Sequence, residues 1–174
     1  VGLLEAPNGG SILAFARTPF TIDRLIALGA DTDAKDRWGS TPIDAMSRLG
    51  AGGHDLVRRL IAHGVPAAPK EYARLGDLDT LSQLVEQDPS VAKLDAVMMG
   101  AVDFRHYAVV EWLLARAGNV NARADAQSRQ TALHSAAWNG DLRMVQLLIE
   151  AGADPTARDE NTTGRHSAGP RPRS

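Results

Sequence analysis

Cysteine is absent from the 174-residue chain, which removes disulfides, thiolate metal sites and cysteine nucleophiles together. Aromatic residues make up only 5%, so an apolar core has to come from Leu, Ile, Val and Ala. No run approaches the ~18 apolar residues that a membrane-spanning helix needs. The opening segment, VGLLEA, lacks the basic and apolar regions of a secretory leader. A soluble, cytoplasmic protein is therefore expected. Val1 in place of Met points to a fragment, a processed start or an alternative start codon. Excess charge of one sign is missing as well: 19 Lys and Arg face 21 Asp and Glu, for a net charge of −2. That balance exerts no global pull toward nucleic acid or anionic membrane, and neither is an expected partner. What is present is an ordinary globular mixture, 44% hydrophobic and 23% charged. The length fits one domain or one short repeat array.

A pattern recurs along the chain: an apolar residue, two variable ones, Leu, another apolar residue, two variable ones, then usually Gly. It reads Ile22, Leu25, Ile26, Gly29, and again Val57, Leu60, Ile61, Gly64. It weakens to Leu81, Leu84, Val85, Asp88 and then Val110, Leu113, Leu114, Ala117. It recovers as Val145, Leu148, Ile149, Gly152. The first members are spaced by 35, 24, 29 and 35 residues. Positions i, i+3 and i+4 share one helical face, so each copy is a short helix with a single apolar stripe. The fourth position falls at the helix end, where Gly takes the left-handed cap without a Cβ clash. No such helix can bury its stripe alone; stacked neighbours bury all five in one core. Residues 131–159, TALHSAAWNGDLRMVQLLIEAGADPTARD, read as helix, tight turn, helix and protruding finger. Thr131 caps the first helix, Gly140 ends it, and the second runs over about 142–151.

This stretch resembles an ankyrin repeat, with T-A-L-H for the family's T-P-L-H, a central A-A-x-x-G and a G-A-D-x-x-A ending. Trp38-Gly39-Ser40-Thr41-Pro42-Ile43-Asp44-Ala45, LIALGADTDAKD at 25–36 and LLARAGNVNA at 113–122 carry further matches. The two 35-residue steps lie near the family's period of ~33 residues. The resemblance implies an all-α helical solenoid of about five repeats with short β-hairpin fingers. It places the array at 1–159, with the first repeat incomplete and repeats three and four degenerate.

The departures are specific. The 24-residue step leaves no room for a full finger after Gly64, so two fingers of ordinary length and one missing or shortened one are expected. Pro69 suits a first helical turn; 69–75 is expected as the first helix of repeat three, with Gly76-Asp77-Leu78 opening the second. Asp44 stands where the family has His, so its inter-repeat bond must be remade. Val97-Met98-Met99-Gly100 replaces the T-P-L-H segment without its capping Thr. Ala117 occupies a glycine position. The last residues, ENTTGRHSAGPRPRS at 160–174, contain Gly164, Gly169, Pro170 and Pro172 and no apolar stripe. They read as a disordered, mildly basic tail, a truncated or frame-shifted remnant of a sixth repeat. Without a polar cap, the edge of repeat five stays partly bare, which invites self-association or modest stability.

The search for chemistry yields little. His54, His63, His106, His134 and His166 form no i, i+3 or i, i+4 pair, and no H-E-x-x-H occurs, so no metal site is expected. His134 reads as a hydrogen-bonding residue that ties adjacent repeats. Gly50-Ala51-Gly52-Gly53-His54 has glycines but no following G-K-[ST] and no preceding strand; it reads as a lengthened turn. Ser11, Ser47 and Ser135 lack a nucleophile-elbow context. Arg48, Arg58 and Arg59 are balanced by carboxylates and read as solvated helix faces. No catalytic residue and no cofactor are expected.

In the family, partner contacts cluster at finger tips and just before the inter-helix Gly. The resemblance carries this to Arg37, Trp38 and Ser40 and to Gln127, Ser128 and Gln130 at the tips. On the helices it implies Arg48 and Leu49, Asp103 and Phe104, and Trp138 and Asn139. Trp38 and Trp138 would lie on the concave side, where Trp and Arg are favoured anchors, or pack against a neighbouring repeat. Trp112, beside Leu113, reads as core or outer-face packing. The expected function is a non-enzymatic interaction scaffold or adaptor that binds another protein. Two other classes stand beside it: a regulatory or targeting segment of a larger enzyme, and a self-contained hydrolase or small-ligand protein, which no motif supports.

Overall fold

The computed structural model describes residues 10–124 and 130–158. The expected contact residues Gln127 and Ser128 and the expected tail at 160–174 lie outside the described residues. The chain forms helical pairs in series. A 3-10 helix, Ile12–Phe15, precedes α1 (Pro19–Ala27); α2 (Pro42–Ser47) pairs with α3 (His54–Ala62). Then α4 (Pro69–Leu75) pairs with α5 (Leu78–Gln87), α6 (Asp95–Asp103) with α7 (Tyr107–Leu114), and α8 (Ala132–Trp138) with α9 (Leu142–Glu150).

Helix starts follow the local chemistry. Pro19, Pro42 and Pro69 open α1, α2 and α4, where a missing N–H costs nothing. Thr41 and Thr131 each accept a hydrogen bond from the backbone N–H three residues on, and Asp44 and His134 reach back to them. Asp77 and Asp141 cap α5 and α9. Leu94 precedes α6 and offers no side-chain cap, as the lost Thr implies. Arg105 and Ala117 hold φ of 59°. Ala117 thus keeps the left-handed turn that Gly29, Gly64 and Gly152 make after the first, second and last pairs, and its Cβ costs about 1 kcal/mol relative to Gly.

Connections vary as the spacing implies. Residues 28–41 make one long connection, and 115–124 with 130–131 belong to another, while α3 and α4 are joined by only 63–68. Between α5 and α6 a 3-10 helix, Pro89–Lys93, replaces a finger. Hairpin character is slight: among the described residues it amounts to one isolated antiparallel bridge, Arg123 with Thr131. Gly50–Gly53 adds a 3-10 turn inside the second pair. A Cβ on Gly53 would stand 2.0 Å from the Met46 carbonyl oxygen, so that position is closed to any side chain.

The buried apolar residues form two clusters. One gathers Leu13, Ile22, Met46, Leu56, Leu60 and Leu75; the other gathers Ala73, Leu81, Met98, Leu113, Met144 and Leu148. Across the first two pairs, the Asp23 carboxylate accepts from Arg59 Nε at 2.5 Å and Nη2 at 2.6 Å, and His63 Nε2 lies 2.8 Å away. Hydrogen bonds from Arg59 and His63 hold the Asp23 pKa down to about 2. A carboxylate depressed in the folded state adds stability above its unfolded pKa, and that stability is lost as pH falls through the folded value. Urea midpoints measured from pH 5 to pH 2 should therefore fall less steeply in Asp23→Asn than in the parent chain. Parallel profiles would contradict the clasp.

Candidate interaction surface

Most of the expected contact residues sit where first helices end or fingers turn. Trp38 follows Asp36, whose Oδ1 accepts from the backbone N–H of Trp38 and of Ser40, each at 2.9 Å. This fixes the tip, and Trp38 remains 67% exposed with the Arg37 guanidinium 4.0 Å from its ring centroid. Arg48 and Leu49 are exposed at the end of α2. Asp103 closes α6 and accepts a short hydrogen bond from Ser135 Oγ, which ties α6 to α8. Burial pushes the Asp103 carboxyl up, against the pull of Ser135 and Arg74. Phe104 is half-buried, its ring 4.9 Å from that of His54. Trp138 ends α8 and is 88% exposed, so it does not pack on a neighbouring pair. Asn139 accepts from Arg105 Nη2 at 2.8 Å through its backbone carbonyl. Gln130 is half-buried and its carbonyl accepts from the Ala124 N–H at 2.9 Å. Trp112 is half-buried against the larger cluster, under Arg116.

One sequence reading changes. His134 does not tie adjacent pairs: the bonds of its Nδ1 run to Thr131 within its own pair, where it completes the cap. The inter-repeat link at Asp44 is remade as an ion pair with Lys70 Nζ at 3.0 Å. Burial raises the Asp44 pKa, but the hydrogen bonds from Thr41 and Lys70 outweigh it and hold the group below its usual value. Sequence reasoning also missed Arg105. It occupies the turn where the third and fifth pairs have Gly76 and Gly140, and it pairs with Asp141 at 3.5 Å. Aligning Arg105-His106-Tyr107 with Gly76-Asp77-Leu78 would have found it. Beyond this strip, the last pair has a shallow groove of about 310 Å³ lined by Leu133, Ala137, Val145, Ile149 and Pro155. Among the described residues no cluster of three His, Asp or Glu side chains could hold a metal ion, and no helix is long and apolar enough to cross a membrane.

A family model described as ankyrin repeats in three copies matches residues 70–159, more than half of the chain. That span begins at α4 and includes α5 to α9. Among solved structures, the crystal structure of the ankyrin repeat domain of Bcl-3, described as a unique member of the IkappaB protein family, is similar. It is 24% identical, covers 90% of this chain and 77% of that chain, and has a TM-score of 0.47.

Proposed function

The chain belongs to the ankyrin repeat family, and from that premise we propose that it is a non-enzymatic scaffold or adaptor that holds another protein on the concave side of its stack. Ankyrin repeats are generally protein–protein interaction modules. The observation that carries the reading is the exposure of Trp38 and Trp138, at the first finger and at the end of the last first-helix. A soluble chain has no folding reason to leave two such side chains in water, and Trp is a favoured interface anchor. The mechanism is complementarity on a surface already ordered before binding, which lowers the entropy lost on association. Affinity capture with the parent chain and with a triple variant, Arg37→Ala, Trp38→Ala and Trp138→Ala, tests it. Retained capture by a variant of native circular dichroism would remove the support.

Exposed apolar side chains on the last pair favour a second contact. Leu142 is 68% exposed and Ile149 is 41% exposed, whereas their counterparts Leu78 and Val85 pack on the core. We propose self-association through this surface. Light scattering should show a mass that rises with concentration and falls back to the monomer in Leu142→Glu; a constant monomer mass in the parent chain rejects it.

A further inference from the structure

The hydrophobic core breaks inside α4: Ala73 belongs to the cluster that runs on to Ala153, Leu75 to the one that begins at Leu13. The two sides of this helix are packed differently. Toward α6 the fit is close, since a Cβ on Gly100 would stand 3.0 Å from the Lys70 carbonyl oxygen and 3.2 Å from Arg74 Cγ. Toward α2 and α3 polar contacts bridge the joint. Lys70 Nζ reaches Asp44 Oδ1 at 3.0 Å, Ser47 Oγ donates to Glu71 Oε1 at 3.5 Å, and Arg58 Nη2 donates to the Leu75 carbonyl at 3.1 Å.

The joint is also poorly satisfied. Among the described residues, the buried side-chain atoms without a hydrogen-bond partner are His54 Nε2, Glu71 Oε2 and Arg74 Nε. All three lie here. The Glu71 side chain is 1% exposed, and burial pushes its carboxyl up despite Lys70 and Arg74. His54 leans across the joint onto Phe104; burial, followed by the charge of His106, lowers its pKa. Each unmet buried group carries a desolvation cost that water would return on opening. The six-residue link 63–68 leaves no finger to brace this joint.

We propose that the seam between α3 and α4 is a hinge, on which the block 11–65 swings against the block 69–158 and resets the spacing between Trp38 and Trp138. Polar contacts exchange for water at little loss, whereas apolar interfaces do not, so motion concentrates where packing is polar and incomplete. The hinge stands whatever the face binds.

The absence of cysteine allows clean spin labelling of the full chain. Ala27→Cys with Gln146→Cys spans the seam; Gln83→Cys with Gln146→Cys lies within one block, and all three positions are exposed on helices. Pulsed electron–electron distance measurements should give a spanning distribution about twice as wide as the internal one. Glu71→Met removes the half-satisfied carboxylate and should narrow the spanning distribution alone; Glu71→Gln serves the same end if the first variant does not fold. Equal widths in the parent background, or a spanning width that neither variant changes, would overturn the hinge.

Discussion

Leu113→Ala is expected to lower the free energy of unfolding by about 3 kcal/mol. The side chain is fully buried in the larger cluster, on the apolar stripe of α7. Truncation removes transfer energy and leaves a cavity that close-packed neighbours fill only in part. In a stack, each pair is held mainly by the pairs beside it, so the loss weakens interfaces on both sides. The same truncation at Trp138 deletes a larger side chain, yet that ring is 88% exposed. Its loss should change stability by less than about 0.5 kcal/mol. Chemical denaturation of the two variants side by side checks both figures, and comparable losses would mean that the core is misassigned.

Loss of the exposed tryptophans should instead appear in binding. A buried interface anchor of this kind is worth about 2–4 kcal/mol on truncation, or roughly 30- to 1000-fold in affinity. Arg37→Ala, Trp38→Ala and Trp138→Ala combined should therefore abolish measurable capture while the far-ultraviolet spectrum and melting curve stay near those of the parent. The two rings are far apart in sequence and no contact joins them among the described residues, so single variants should act almost additively. The Arg37 guanidinium rests on Trp38; that pair is close enough to couple. A triple variant that still titrates a purified partner with parent affinity would remove this face from the interaction.

Much of the fold was legible because its signals are local. Thr41-Pro42, Pro69, Asp77 and Thr131 are start signals whose geometry depends on a few neighbouring residues, and each begins a helix as expected. Ala117 was legible for the same reason: its position in the stripe fixed its conformation before any tertiary contact entered. The seam was not legible. No motif singles out Glu71 or Arg74, and only the approach of α6 at Gly100 and of Ser47 on α2 brings neighbours onto them. His134 was misjudged because one sequence position serves two bonding patterns, a cap within the pair or a link beyond it, and side-chain rotation decides between them. Exposure at the contact strip lies between these cases. The motif placed Trp38 and Trp138 at the finger and helix ends, but their freedom from neighbouring pairs depended on packing.

Hydrogen exchange of the chain alone and in complex with its captured partner tests the recognition surface most directly. The account predicts slower exchange along 36–49, at 101–105 and over 130–140, where fingers and first-helix ends meet. Protection confined to the second helices, 78–87, 107–114 and 142–150, would contradict it.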